Sequence, residues 1–358
     1  MAILSESDLA QIMTAAISAP SGGNMQPWLI KRRGDNITLS INHERSHNLL
    51  DVDGAAAIFS LGMLAENLLI KSSSLGYLQT LEFSTDDKYQ KGNLVVTVSY
   101  KGTSEEAETD SDLSRAIGRR CTNRRLHAGE PIAEPIIQSL GEHFTDSGIQ
   151  LAFVDKATSK RDLLEALATN DVLRLRHRGS LSQLLRELRW SKQEVQSTRD
   201  GIDLKTLEIS KAGEQFLRLL HRMPRLVSLL PEVFLKRFTR PPILGSSHLG
   251  LVSLESTYSD HAMFQAGRHT QRLWLKSTVE NIAFQPYTVL TFNLLRVLLA
   301  AGEGFTSSEQ AMIRADASSV SRIFGIADTA IPVFIFRLAR APAPQVKSLR
   351  LPKQSFLA

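Results

Sequence analysis

One cysteine, Cys121, stands among the 358 residues, which excludes an internal disulfide and makes a reducing cytoplasm the expected setting. Beside its arginine neighbours that thiol reads either as a reactive group or as an ordinary half-buried side chain. No apolar run approaches the roughly eighteen residues of a membrane span. Residues 1–8 are acidic and lack the basic-then-apolar pattern of a signal peptide. The nine histidines are scattered, and although His43 and His47 are spaced to share a helix face, no H-E-x-x-H or Cys/His cluster surrounds them, so no metal is expected. Gly302-Glu303-Gly304 lacks the third glycine and the preceding strand of a dinucleotide fingerprint. Nucleic-acid motifs are missing too, and a net charge of +5 suits an anionic ligand such as a phosphate better than a nucleic acid. No Ser-His-Asp order or carboxylate pair nominates an acid, base or nucleophile, so the catalytic residues stay unassigned.

What the chain does have is a regular alternation of elements. Residues 5–18 read as a helix capped by Ser5 or Ser7, with Leu9, Ile12, Met13 and Ala16 on one face. Strands are predicted over 28–33 and 37–42 across a Gly34-Asp35-Asn36 turn, and near 80–83 and 94–100. Between the pairs, residues 51–75 form a long helix that Gly76 terminates. Its apolar set (Ile58, Leu61, Leu64, Ala65, Leu68, Leu69) wraps most of the circumference, which predicts a central, buried position. An acidic linker, 104–112, then separates an N-terminal half, 1–110, from a C-terminal half, 111–358. The second half carries predicted helices over 112–118 and 134–143 and a strand over 150–155. A basic, leucine-rich helical insertion, about 157–245, comes next. Then follow a strand over 249–257, a long helix over 260–280, a helix over 307–324, a strand over 331–338 and an extended Pro-rich tail.

The two long helices resemble one another. A constant offset of 205 positions pairs Ala57 with Ala262, Phe59 with Phe264, Gly62 with Gly267, Leu68 with Leu273, Lys71 with Lys276 and Ser72 with Ser277. The order of flanking elements repeats as well, so the chain reads as two similar halves around a shared core, an internal imitation of a two-fold dimer.

Three stretches carry candidate chemistry. Ala19-Pro20-Ser21-Gly22-Gly23-Asn24-Met25-Gln26-Pro27-Trp28 is a polar corner between a helix and a strand. Pro20 stops the helix, and Ser21, Asn24 and Gln26 offer short polar groups able to read the edge of an amide-bearing heterocycle, with Trp28 as a possible wall. The same residues also compose ordinary loops. Arg119-Arg120-Cys121-Thr122-Asn123-Arg124-Arg125 packs four guanidinium groups into seven residues, a density that suits a phosphate monoester or, alternatively, a solvated charge cluster. Gln285-Pro286-Tyr287-Thr288 follows the second long helix, where Pro286 would fix a turn. Arg337 and Arg340 are further phosphate candidates by position alone.

The A-P-S-x-x-N-x-Q-P-W string resembles the segment lining the flavin mononucleotide (FMN) pocket of the nitroreductase superfamily. Arg120-Cys121-Thr122-Asn123-Arg124 is similar to the R-x-T-N-R phosphate grip of its single-chain, Acg-type branch. The stretch 282–288 resembles the segment whose backbone N–H faces the flavin N5 in that family. The resemblance implies an α+β, nitroreductase-like three-layer sandwich: two similar halves in one chain, a shared central helical core and a helical lid formed by the insertion. It implies one FMN per chain, because each half holds the string that the other lacks. The implied cofactor-binding set is Pro20, Ser21, Asn24, Gln26, Arg119, Arg120, Thr122, Asn123, Arg124, Gln285, Pro286, Tyr287 and Thr288.

The implied activity is two-electron transfer between FMN and a small planar (hetero)aromatic substrate, with a lid that hinders nicotinamide docking. Similar lidded relatives include the bipyrrole-alcohol oxidoreductase of prodigiosin synthesis, so oxidation of a heteroaromatic alcohol in an antibiotic or pigment pathway is one expected role. Reduction of nitro or quinone compounds is a second, and non-catalytic FMN storage a third. The expected form is a monomer with an internal pseudo-two-fold axis, without nucleic-acid partners or an integral membrane span. Residues 211–240, basic and leucine-rich, could instead lie on an anionic membrane.

Overall fold

A computed structural model of the chain describes all residues except 1–3, 47–48, 87, 89–90, 105–109, 126–129, 146–147, 240–242 and 357–358. Most of the acidic linker, His47 and Arg240 therefore lie outside the described residues. The strands in chain order are β1 (Trp28–Arg33), β2 (Asn36–Ile41), β3 (Tyr77–Thr85), β4 (Leu94–Thr103), β5 (Ile149–Val154), β6 (Leu188–Arg189), β7 (Ile202–Asp203), β8 (His248–Leu254), β9 (Ala283–Tyr287) and β10 (Ile331–Ala339). They form two antiparallel four-stranded sheets, β1-β2-β4-β3 and β5-β8-β10-β9, with β6 and β7 as a short parallel pair.

Two long helices, Ala55–Ser73 and Asp260–Val279, pack against each other, the first against β2 and β3 and the second against β8 and β9. Sheet, helix pair and sheet thus make three layers, and one apolar cluster runs through them from Ile30, Leu39 and Val98 to Val252, Phe334 and Phe336. A second cluster lies on the other face of the β5-β8-β10-β9 sheet, where Leu249, Leu251 and Ile335 meet helices of the insertion and the C-terminal half. Covered on both faces, β8 is buried at every residue.

The first long helix with its preceding turn, Val52–Ser73, is long and apolar enough by composition to cross a bilayer (mean hydropathy 1.3), which the sequence reading did not anticipate. Its apolar window is 83% buried within the fold, so its hydrophobicity is spent on the central layer. Asp51 accepts hydrogen bonds from the backbone N–H of Ala56 and Ala57 at its start (2.8 and 3.1 Å), and burial pushes this carboxyl up to about 7 against those bonds.

The two helices touch backbone to backbone. A Cβ added at Gly62 would collide with the Phe264 carbonyl, and one added at Gly267 would collide with the Phe59 carbonyl. These four residues are two of the pairs separated by the constant offset, and their contacts are reciprocal. Around the crossing, Glu66 is held by Arg268 (3.0 Å) and Arg272 (2.6 Å), and Asn67 accepts from Gln271 (2.6 Å). Burial alone would push Glu66 up, but the two guanidinium groups hold it below the usual carboxylate range.

Two local expectations change. Pro286 lies inside β9, an edge strand, where a residue without an N–H is tolerated, and fixes no turn there. A helix over Val289–Leu299 follows at once, in a stretch too short and too uniformly apolar for its period to stand out. The tail is extended and crosses to the first sheet, where Phe356 accepts from the Ile30 N–H (2.8 Å) and packs on Trp28.

Gly62→Ala and Gly267→Ala each force a methyl group into a backbone contact and should destabilise the chain by about 1–3 kcal/mol. Gly118→Ala, whose new Cβ meets nothing within 4 Å, should stay within about 0.5 kcal/mol of the parent. Urea unfolding of the three variants checks this.

Candidate functional site

The polar corner forms because Pro20 and a short 3-10 turn, Gly22–Asn24, break the first helix, Glu6–Ala16, from β1. Gly23, Asn24 and Gln26 all have positive φ (57°, 56° and 54°), and two of these are not glycine. Hydrogen bonds hold the strain. Ser21 Oγ accepts from Gln26 N (2.9 Å), and Asn24 Nδ2 donates to the carbonyls of Gly201 and Leu349 (both 3.1 Å). Gln26 Nε2 donates to Arg199 O (3.2 Å) while its Oε1 accepts from Leu351 N (2.9 Å). Asn24 and Gln26 therefore fasten the insertion and the tail to the corner. Trp28 is fully buried in the core and lines neither of the two cavities beside the corner.

Two cavities open beside this corner. The larger, about 480 Å³, is lined by Phe59 and Met63 of the first long helix, Trp274 of the second, and Gln285, Pro286, Tyr287 and Thr288. The insertion closes it with Leu167, Asp171, Arg174, Leu175, Phe216 and Leu217, among others. The smaller, about 200 Å³, is polar and lined by Ser18, Asn24, Arg120, Cys121, Lys347, Ser348 and Arg350. Pro20, Ser21, Gly23, Thr122 and Arg124 border both. Strings from opposite halves of the chain thus converge on one place.

The arginine string divides its residues. Arg119 is exposed and lines neither cavity, although its carbonyl accepts from Lys347 (3.0 Å). Asn123, buried, lines neither: its N–H bonds Phe284 O and its Nδ2 bonds Pro342 O (2.8 Å), tying the string to β9 and the tail. Arg124 donates to Thr206 O (2.9 Å). Arg120 is 7% exposed, lies 4.6 Å over the Trp274 ring and donates to Ser18 O (3.2 Å). Arg350 of the tail donates to Asn24 Oδ1 (2.8 Å) and to Ser18 O (3.2 Å).

The Nε of both Arg120 and Arg350 is buried without a partner, and no described carboxylate pairs with either. Burial, with Arg350 adding repulsion, pushes Arg120 down to about 9; burial pushes Arg350 down to about 10. Burial also pushes the Cys121 thiol up, against the pull of Arg120 and Lys347, and so away from the reactive thiolate. Arg337 donates to Gln285 Oε1 (2.8 Å) and Arg340 to Glu280 O (2.6 Å), and neither lines either of these two cavities.

Three groups escaped the sequence reading. Lys347 and Arg350 lie in a tail without periodicity, where only their charge could have drawn notice. Asp171 sits among leucines of the helix Ala157–Arg176, and its position shows only when that helix is wrapped against the cavity.

No protein-family model matches the chain. An uncharacterized protein of Mycobacterium tuberculosis is similar to it, with 24% identity over 346 residues, 95% of this chain and 46% of that protein. A second M. tuberculosis protein, described as a candidate NAD(P)H nitroreductase, is 25% identical over 162 residues, 45% of each. The chain spans about half the length of the curated relatives it matches. Among solved structures, a candidate nitroreductase from Anabaena variabilis superposes with a TM-score of 0.51 at 10% identity, over 94% of this chain and 88% of that one. The chain has a nitroreductase-like fold.

Buried Arg120 and half-buried Arg350, with no acid paired to either among the described residues, leave a cationic cluster without a counter-charge. Inorganic phosphate at millimolar concentration should raise the thermal midpoint of the cofactor-free chain by several degrees, as ligand linkage requires. The rise should vanish in Arg120→Met, which should itself be no less stable than the parent without phosphate. Differential scanning fluorimetry reads both effects.

Proposed function

We propose that the chain is an FMN-dependent oxidoreductase holding one FMN in the composite site between its halves. One observation carries the reading: Ser21 from the first half and Thr122 and Arg124 from the second line two adjoining cavities at once, a mainly apolar one that Gln285–Thr288 also line and a polar one that holds Arg120 and Arg350. An amphipathic ligand with a planar ring and a phosphate fits that division, and the orphaned Nε atoms of Arg120 and Arg350 fit the phosphate. Of the sequence candidates, Pro20, Ser21, Thr122 and Arg124 would hold its middle, Arg120 its phosphate, and Gln285, Pro286, Tyr287 and Thr288 its ring. Asn24 would act through Arg350, while Gln26, Asn123 and Arg119 support the site from outside.

When bound, the flavin supplies two-electron hydride chemistry. The protein orients the ring between its aromatic walls, keeps water out through the insertion, and leaves room for a planar substrate. The insertion acts as the lid, and the paired halves as an internal dimer. Oxidation of a heteroaromatic alcohol in a biosynthetic pathway is the preferred role, with nitro or quinone reduction as the alternative.

The purified protein should be yellow, and heat should release a species with the mass of FMN. Arg120→Met together with Arg350→Met should weaken FMN binding at least about tenfold while leaving riboflavin, which has no phosphate, unaffected. A colourless protein that ignores added FMN overturns the reading. Dithionite reduction followed by candidate acceptors separates an enzyme, rapidly reoxidised, from a storage protein inert to all of them.

A second reading concerns the outside of the insertion. Exposed large apolar side chains concentrate between residues 209 and 244: Ile209, Leu219, Met223, Leu229, Val233, Phe234 and Leu244. Exposed Lys211, Arg222, Arg225 and Arg237 stand among them. This combination suits an anionic lipid surface. Co-sedimentation with phosphatidylserine vesicles, lost when Met223, Leu229 and Val233 are changed to serine, is the expected result; no pelleting at physiological salt ends this reading.

A further inference from the structure

Asp171 stands on the cavity face of the helix Ala157–Arg176, flanked along that face by Leu167 and by Arg174 and Leu175, all of which line the larger cavity. Among the described residues it has no hydrogen bond or ion pair. The neighbouring cation, Arg174, is engaged through one terminal nitrogen with Glu187 (3.3 Å), which also accepts from Gln183 (2.7 Å), while its Nε is buried without a partner and its charge acts on Asp171 without a hydrogen bond. Across the same cavity the Tyr287 hydroxyl is buried and has no partner. A half-buried carboxyl without a hydrogen-bond partner and a buried, unpartnered phenol thus share a mainly apolar chamber whose other charged groups are Arg124, Arg174 and Glu187.

We propose that Asp171 is the proton-transferring group of this site, serving a planar substrate that carries a hydroxyl or carbonyl group. The proposal rests on the FMN reading above. In the oxidative direction the substrate C–H bond breaks and passes its electron pair and hydrogen to the flavin as hydride. The substrate O–H bond breaks and its proton goes to the Asp171 carboxylate, and a C=O bond forms. In the reductive direction the Asp171 carboxyl would return that proton to the carbonyl oxygen as a hydride from the reduced form of a bound flavin reached the carbon. The Tyr287 hydroxyl donates a hydrogen bond to the same oxygen.

The electrostatics agree. Burial pushes the Asp171 carboxyl up to about 7, with Arg174 opposing, and burial keeps Tyr287 protonated well above its ordinary value despite Arg337 and Arg124. Charged groups on the other sides of the helix are engaged away from it: Lys236 pairs with Glu165, and Asp316 accepts from Asn170 (2.8 Å). A general acid or base works best with a pKa near the operating pH.

The test uses the full-length chain. In the cofactor-free protein, infrared difference spectra should show carboxyls losing their protons around pH 7, and Asp171→Asn should remove one of these signals while the Asp51 signal stays. Because the folded carboxyl binds its proton more tightly than the unfolded one, its contribution to stability is present below about pH 4 and lost as pH rises through about 7. Asp171→Asn should therefore melt higher than the parent at pH 8 and gain less at pH 5. With FMN bound, furfuryl alcohol should bleach the flavin, and furfural should reoxidise it after dithionite. Asp171→Asn should slow both steps about 100-fold or more and remove the pH dependence near 7, with FMN affinity unchanged.

A carboxyl that titrates near 4, or an Asp171→Asn variant with the parental rate and profile, overturns the assignment. Failure of both furan probes to change the flavin colour overturns the hydroxyl/carbonyl substrate class. A chain that refuses FMN overturns the preceding reading and this one together, whereas a yellow protein with an ordinary Asp171 overturns this one alone.

Discussion

The contact on which the rest depends is the crossing of the two long helices, where Gly62 lies against the Phe264 carbonyl and Gly267 against the Phe59 carbonyl. Side chains normally keep helix axes some 8–10 Å apart. Glycine at both touching points removes that spacer, so neither helix can slide or rotate without bringing a larger neighbour into the contact. Everything layered on the pair inherits its geometry. Ala56, Phe59, Ser60 and Met63 on the first helix and Trp274 on the second, all lining the larger cavity, are placed by this one crossing. β9, which begins four residues after the second helix ends, carries Gln285–Tyr287 to the same wall.

Charge is handled in opposite ways at the crossing and at the site. Glu66, though buried, faces Arg268 and Arg272, and Arg272 also bonds Asp110 through both terminal nitrogens (2.9 Å each), so each cation there has an acid. Such a network costs desolvation but leaves no net orphan. Arg120 is buried and Arg350 half-buried, with carbonyls and an amide as their only hydrogen-bond partners among the described residues, and their pKa values fall accordingly. The same fold that neutralises charge at its centre leaves cationic charge uncompensated where its halves meet. That difference sets the proposed site apart more clearly than the count of arginines in the string.

Legibility followed the locality of the cause. The helix Ser307–Phe324 has the bounds expected from the sequence, and local causes set both ends: Thr306 and Glu309 form a capping box, and Gly325 turns left-handed just past its end. The strands beside Gly34-Asp35-Asn36 were readable from alternation and a turn, both short-range signals. The offset pairs, Gly62 with Gly267 above all, were visible as a repeat, and the crossing gives that repeat its physical cause. The Val289–Leu299 helix was lost because burial on nearly all sides erases amphipathic period. Asn24 and Gln26 were read as ligand groups because their chemistry suits a heterocycle edge. Their actual partners, Gly201, Arg199, Leu349 and Leu351, come from segments about 170 and 325 residues away that no local pattern could place beside them.

Those distant partners change what the polar corner is for. The corner holds two positive-φ residues, Asn24 and Gln26, in a conformation that costs energy in isolation, and the side chains of the same two residues bind both the loop of the insertion and the C-terminal tail. The backbone strain and the long-range bonds are therefore one arrangement: the left-handed turns aim the amides outward, and the captured segments over-determine the turns. The tail so captured carries Arg350 into the smaller cavity, and the insertion so captured carries Ile202 and Leu207 to the edge of the larger one. Assembly of the cationic end and closure of the apolar end thus depend on the same two side chains. A site built this way is completed only when the first and last parts of the chain are both in place, which is the physical sense in which its two halves are incomplete without each other.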